Sequence, residues 1–379
     1  MKFWQGKVVF VTGHSGFKGS WLTLWLQALG AQVVGLALPP DTEPALFHRL
    51  YPNGPDPQCL THHVGDIRDA DRLCHLITTS QPDVVFHLAA QPLVRRSYQA
   101  PSLTWETNVM GTLNLLEALR TLDRPCAVVV VTSDKVYDNR EWLYGYREVD
   151  PLGGRDPYSA SKAAAELAVQ CWRSSFFPLD YPVAIATARS GNVIGGGDWS
   201  GDRIVPDAMV ALSQGQPIQV RNPQATRPWQ HVLEPLGGYL WLAQCLYGAI
   251  APGSNPYAQA FNFGPDLSSN QTVQGLVEFM LQEWPGTWQD CSPGEQPHEA
   301  GRLGLVTDKA FHQLGWSPCW SLQEAVRHTV AWYRAVEQGA DVQSLCLGQI
   351  RAYGSAGAGQ PWFKDLSLED FSLAESATV

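Results

Sequence analysis

The sequence predicts an α/β fold: a doubly wound parallel sheet with a smaller, mixed C-terminal substrate domain. Three observations predict it. Short apolar runs alternate with helical patterns through the first half of the chain. Glycines stand three apart between the first strand and the first helix. After Arg189 the pattern breaks into short segments rich in glycine, proline and tryptophan. Strands this apolar are buried on both faces, and repeated βα units pair them in parallel. Right-handed crossovers then wind the sheet both ways, with ligand at the carboxyl ends of the strands.

The elements follow in order. Residues 8–11 read as the first strand, followed by Gly13, Gly16 and Gly19. A helical pattern then runs through Trp21, Leu22, Trp25, Leu26 and Leu29, with Gly30 placed to end it. Further strands are expected at 32–38, 63–67, 83–89, 127–132 and 183–188. Helices are expected from Asp69 to about residue 77, at 104–122 and at 158–171. Ser321 and Glu324 form a capping box before a helix with Leu322, Val326, Val330, Tyr333 and Val336 on one face. The expected domains are 1–189 for a dinucleotide, with 226–250 returning to it, and 190–353 for substrate. Residues 354–379, rich in glycine and serine at their start, read as a loosely ordered tail.

The chain's 379 residues suffice for two closely joined domains. A charged fraction of 16% and a hydrophobic fraction of 45% describe a globular chain. The net charge of −10, without a basic run, argues against a nucleic-acid partner. No stretch approaches the roughly 18–20 apolar residues of a membrane span, and no signal-peptide pattern precedes the first strand. Eight scattered cysteines without a CxxC pair read as reduced thiols of a cytoplasmic protein, and no metal site is expected.

Three clusters could carry chemistry. A glycine turn between a strand and a helix directs a helix N-terminus at a phosphate, although a bare triplet also fits a packing turn. Tyr158 and Lys162 stand four apart at a predicted helix start, so they share one face. A free phenol has a pKa near ~10, and a neighbouring cation favours its phenolate, which makes Tyr158 a usable base. The fifth strand ends in Thr132-Ser133-Asp134-Lys135, at the edge where catalytic groups belong. Ser133 can bond a substrate hydroxyl, Asp134 is an acid if its pKa is raised, and Lys135 is a base if its pKa is lowered. Ser-Asp-Lys is also ordinary turn chemistry. His14 reads as a cofactor contact or a turn residue, and Lys18 could touch either cofactor or substrate phosphate. Trp199 and Trp229 read as core or pocket wall.

In this combination and order the three clusters resemble the extended short-chain dehydrogenase/reductases, a Rossmann-type family, over most of the chain. The resemblance implies cofactor contacts from Gly13, His14, Ser15, Gly16, Phe17, Lys18, Gly19, Asp66, Ile67, Leu88, Ala89, Ala90, Asn108, Thr132, Tyr158 and Lys162. The turn Thr12-Gly-His-Ser-Gly-Phe-Lys-Gly-Ser-Trp-Leu and Ser133-Asp134-Lys135 are similar to one branch, the CDP-glucose 4,6-dehydratases. The dTDP-glucose branch has Thr-Asp-Glu at the strand end. Segments beginning at Arg189, Asp202, Arg227 and His298 look like the branch's nucleotide-sugar segments. Asn192, Arg203, Arg227 and His298 are the implied substrate-binding residues, and NAD is the implied cofactor. The implied reaction oxidises carbon 4 of the glucose with Tyr158 as base. It then removes water across carbons 5 and 6 with Lys135 and Asp134, and returns the hydride to carbon 6.

The usual acid about 20 residues after the glycines is missing: the second strand ends Leu36-Ala37-Leu38-Pro39, with Asp41 the nearest carboxylate. The turn alone therefore leaves NAD and NADP open. An epimerase or reductase of the same fold would use Tyr158 and Lys162 without a task for Asp134 and Lys135. A non-catalytic dinucleotide sensor would need none of the four. Family members commonly form homodimers through the two long helices, here at about 104–122 and 158–171.

Overall fold

The computed structural model describes residues 2–364, 366 and 368, except 179, 251–253 and 293–300. Seven parallel strands form its central sheet: β1 (Val8–Thr12), β2 (Gln32–Ala37), β3 (Leu60–Val64), β4 (Val84–His87), β5 (Cys126–Val131), β6 (Val183–Ser190) and β7 (Ala260–Phe263). Their spatial order is β7-β6-β5-β4-β1-β2-β3. The order reverses between β1 and β4, the switch point beside which such sheets bind ligand.

Each central strand divides its side chains between two cores. Val9, Val11, Val84, Phe86, Ala127 and Val129 pack on one face. Phe10, Val85, Cys126, Val128 and Val130 pack on the other. The first face is covered by the helices Phe17–Ala28 and Leu233–Gly248, the second by Ala70–Ser80, Gly111–Leu119 and Pro157–Phe176. A two-sided core explains why these strands are nearly all apolar rather than alternating.

Three expectations change. The third strand is Leu60–Val64, earlier than 63–67, because the buried Leu60 anchors it and Gly65 N bonds Ala37 O as the chain leaves the sheet. Asp66 and Ile67 thus lie just beyond the strand's carboxyl end. The helix expected at 104–122 is three pieces: Pro101–Trp105, a π-helical turn Glu106–Met110, and Gly111–Leu119. The wide turn contains Asn108, whose side chain reaches inward to Gln91 and Ser161.

The third change concerns the tail. The helix Val342–Gly357 runs past Tyr353, and a 3₁₀ turn follows at Pro361–Phe363. Trp362, Phe363, Leu366 and Leu368 are buried. Trp25 Nε1 donates to Leu366 O at 3.3 Å, and the Phe363 ring packs against Trp25 and Tyr353. Glycine-rich composition hid four apolar anchors whose burial outweighs the entropy of ordering the chain. Residues 369–379 lie outside the described residues.

Beyond β6 the chain forms three two-stranded ladders and the helices Ile204–Ser213, Val273–Glu283, Asp308–Leu314, Leu322–Glu337 and Val342–Gly357. Their apolar side chains join the core on the first sheet face. Leu233–Gly248 lies against β5 and β6, and β7 at 260–263 adds a sheet strand beyond the 226–250 segment expected to return. The capping box at Ser321 is present, with Glu324 N donating to Ser321 Oγ and Ser321 N to Glu324 Oε2.

Candidate active site

The turn after β1 brings backbone closer than side chains allow. A Cβ on Gly13 would stand 2.7 Å from Ala89 N, and one on Gly19 would stand 2.0 Å from Gly13 O. Gly13 also has φ +76°, a conformation costly for other residues. The helix Phe17–Ala28 therefore starts directly against the sheet end. Its N-terminal N–H groups, which lack acceptors within a helix, are the donors a dinucleotide diphosphate needs. Ser15 Oγ donates to Leu38 O at 2.8 Å, tying the turn to the end of β2. Thr12 Oγ1 accepts from Ala89 N at 3.2 Å and bonds His87 Nδ1 at 2.8 Å, which fixes Leu88, Ala89 and Ala90 beside the turn. These residues fit a dinucleotide.

The other expected cofactor residues divide. Asp66 binds Arg68 Nη2 at 2.7 Å and Nε at 3.0 Å, and this pairing holds its carboxyl below the usual range. Ile67 is buried against Gly111. The Asn108 amide is occupied by Gln91 N, Gln91 O and Ser161 Oγ at 2.8, 3.2 and 2.9 Å, so it holds the β4 loop to the Tyr158 helix. The His14 side chain packs beneath β2, its Nε2 2.6 Å from His62 Nδ1 and its ring filling the space a Cβ on Gly35 would take. Burial pushes its pKa down to about 3, so it is neutral there.

Tyr158 and Lys162 lie on the first turns of Pro157–Phe176, which Asp156 caps by accepting from Tyr158 N and Ser159 N, both at 3.0 Å. Lys162 Nζ reaches Val131 O at 3.3 Å, the last residue of β5. Two residues on, Ser133 Oγ donates to Asp134 Oδ1 at 3.0 Å and accepts from Lys135 N at 3.2 Å. Asp134 is buried and its Oδ2 has no hydrogen-bond partner. Burial therefore raises its pKa, against the pull of Lys135, Ser133, Arg227 and Lys18. Burial pushes the Tyr158 phenol up to about 12, while a Ser133 hydrogen bond draws it back. Burial lowers Lys162 to about 8, opposed by Glu166.

Lys18 is drawn into the same buried space. Its Nζ donates to Ser190 Oγ at 2.9 Å and lies 3.5 Å from Tyr239 OH, and burial with the cations Arg203 and Lys162 lowers its pKa to about 7. Arg203 Nη1 pairs with Asp198 Oδ2 at 2.9 Å. Arg227 is buried, donates to Thr226 O at 2.9 Å, and is close enough to pull on the Asp134 titration. Asn192 precedes this wall, its carbonyl accepting from Gln230 N at 3.2 Å. His298 lies outside the described residues. Trp229 is buried and Trp199 packs on Trp332, both as wall. Asp41 pairs with Arg96 beyond β2.

Sequence reading missed what lies beneath these groups. Glu166, Arg189, Tyr137, Thr132 and Thr187 form one buried hydrogen-bonded cluster. Its signal was available: Glu166 repeats the four-residue spacing of Tyr158 and Lys162. Arg189, expected in a nucleotide-sugar segment, turns its guanidinium into that cluster.

A doubly wound sheet with this turn, this strand end and a Tyr-xxx-Lys helix defines the extended short-chain dehydrogenase/reductase class. Residues 10–246 match the family model described as GDP-mannose 4,6 dehydratase, and the chain belongs to that family. It is similar to a CDP-glucose 4,6-dehydratase of Salmonella typhimurium, 48% identical over 93% of this chain and 98% of that one. A dTDP-glucose 4,6-dehydratase of Xanthomonas campestris is 26% identical over 85% of this chain and 92% of its own length. Among solved structures, the dTDP-glucose 4,6-dehydratase DesIV of Streptomyces venezuelae, with NAD bound, has a TM-score of 0.73. It is 24% identical, covering 89% of this chain and 99% of its own, and it shares the fold.

Proposed function

We propose that this chain dehydrates CDP-glucose to CDP-4-keto-6-deoxyglucose, with NAD as a resident cofactor. The strand end Ser133-Asp134-Lys135 carries the reading. An epimerase needs only the tyrosine–lysine pair, whereas here a buried carboxyl group with a raised pKa stands beside it. The similarity to a CDP-glucose 4,6-dehydratase along nearly the whole chain supports the nucleotide.

When bound, NAD supplies an acceptor for the carbon 4 hydride and a donor of that hydride to carbon 6. The chain's own groups do the rest. Tyr158 takes the proton from the carbon 4 hydroxyl, with the Lys162 ammonium favouring its phenolate and Ser133 orienting the sugar hydroxyl. The ketone so formed acidifies the carbon 5 hydrogen, which Lys135 removes. Asp134, whose pKa burial raises, gives its proton to the departing carbon 6 hydroxyl. One water leaves and no net oxidation results. Asn192, Arg203 and Arg227 would hold the diphosphate, Arg227 with its planar fork.

The test offers CDP-, dTDP-, UDP- and GDP-glucose to the purified protein without added cofactor, and assays NAD released on denaturation. A 4-keto-6-deoxy product from CDP-glucose is expected. No product from any of the four overturns the enzyme reading; product from dTDP-glucose alone overturns the nucleotide. Lys135→Ala should lower turnover by about a hundredfold or more. Full turnover in that variant would remove Lys135 from the mechanism.

The substrate is a small nucleotide sugar, and no helix among the described residues is long and apolar enough to cross a membrane. The protein works in the cytoplasm as a homodimer. Trp105, Met110, Leu167 and Phe176 are exposed along the helices 101–119 and 157–176, a face suited to a second copy. Light scattering of the purified protein should give twice the 41.7 kDa chain mass.

A further inference from the structure

We propose that the buried Glu166–Arg189 pair is the positioning element of this site. It sets the Tyr158/Lys162 helix against the Ser133–Lys135 strand end and provides the negative charge beneath Lys162. The inference rests on the reading of Tyr158 and Lys162 as the catalytic pair.

The geometry carries it. Glu166 lies one turn beyond Lys162 and two beyond Tyr158, on the same helix face. Its Oε1 accepts from Thr132 Oγ1 at 2.5 Å and Arg189 Nε at 3.0 Å. Its Oε2 accepts from Thr187 Oγ1 at 2.8 Å and Arg189 Nη2 at 2.9 Å. Four donors occupy the carboxylate, and Glu166, Arg189, Tyr137, Thr132 and Thr187 are all buried. Thr132 immediately precedes Ser133, so this hydrogen bond fixes the catalytic strand end relative to the catalytic helix. Arg189 extends the linkage. Its Nη1 donates to Tyr137 OH at 3.0 Å and Glu148 O at 3.3 Å, and Tyr137 OH donates to Asn262 Oδ1 at 2.6 Å on β7. One carboxylate thereby joins β5, β6, β7, the helix and the 137–148 segment.

The charge matters as much as the position. Glu166 is faced by Arg189 from β6 and by Arg173 from its own helix, and its carboxyl is held below the usual range. Lys162 is faced by Glu166 on its helix, by His87 on β4, and by Lys18 from the first turn after β1. Burial keeps His87 neutral, so among these Glu166 is the group that favours the Lys162 ammonium. Without that charge, burial acts on Lys162 unopposed. The ammonium then loses its proton at lower pH, and Tyr158 loses its cation across the neutral range.

The test is a pair of variants read by pH–rate profile. Glu166→Gln alone strands a buried guanidinium and threatens folding. The double variant Glu166→Gln/Arg189→Met removes both charges at similar volume. It should fold, with KM for CDP-glucose nearly unchanged and kcat reduced on the order of tenfold to a hundredfold. The rising limb of its profile should move up by about one pH unit. Wild-type kcat and profile in the folded double variant would overturn the proposal. Should the double variant not fold, Thr132→Val removes only the bond to the strand end; its kcat should fall several-fold with KM unchanged, and wild-type kinetics there would overturn the proposal equally. Full turnover in Tyr158→Phe would instead defeat the underlying assignment, a result distinct from either.

Discussion

Two buried polar regions lie next to each other in this protein and are built on opposite terms. Around Glu166 every charge has a partner: four donors fill the carboxylate, and Arg189 spends its remaining nitrogen on Tyr137 and a carbonyl. Around Asp134 the groups are left short. One carboxylate oxygen has no partner, the Tyr158 phenol is pushed up, and Lys18 and Lys162 are pushed down. Satisfied burial makes a scaffold, because each group is most stable where it stands. Unsatisfied burial holds protons at the wrong pH for the free side chain, which is what acid–base work at neutral pH requires.

Substitutions on the unsatisfied side should damage activity while sparing or improving stability, and this is the contrast to break. Tyr158→Phe has the largest expected effect, a loss of about a thousandfold or more in kcat with an unchanged melting temperature. A melting temperature that fell with activity would place Tyr158 in the scaffold. Asp134→Asn should lower turnover by roughly a hundredfold. Because it removes a buried carboxyl lacking a partner at Oδ2, it should leave thermal stability equal or higher at pH 8. Loss of stability there would show that Asp134 is anchored like Glu166.

The smallest expected effect is a pH-dependent stability at Lys18. Lys18 is protonated up to about pH 7 in the folded chain, against an ordinary value of 10.5. Between those values the unfolded chain holds the proton and the folded chain does not, so stability rises with pH across that window. Below about pH 7 the buried ammonium is fully charged in both states and its desolvation cost is complete. Lys18→Met should therefore raise the melting temperature most at pH 6, with the gain shrinking toward pH 10. A gain independent of pH would mean that Lys18 is charged throughout, satisfied by Ser190 and Tyr239.

Much of the unsatisfied region was legible in the sequence and little of the satisfied one was. Gly13 and Gly19 announce themselves because no other residue fits where they stand. Tyr158, Lys162 and the Ser133–Lys135 run sit at element ends, which periodicity locates. The partners of Glu166 come from two strands, 34, 21 and 23 positions away along the chain, and nothing local marks them. Lys18 could be seen in the turn, but its descent to Ser190 depends on β6 ending beside β5. The third strand was expected too late because its anchoring Leu60 is followed by polar Thr61 and His62, while Val64 and Ile67 supplied the apolar signal. The C-terminal segment was misjudged because glycine and serine around it lowered its apparent hydrophobicity, while Trp362, Phe363, Leu366 and Leu368 decide its place.

That last contact also orders assembly in time. The helix presenting the glycine turn is synthesised well before its packing is complete, because Trp25 within it waits for Leu366, 341 positions later. A nascent chain ending before Trp362 would carry the helix after the glycine turn with an uncovered tryptophan face. Synthesis must pass Leu366 before that helix is fully packed, so a product cut short of Trp362 is prone to aggregation.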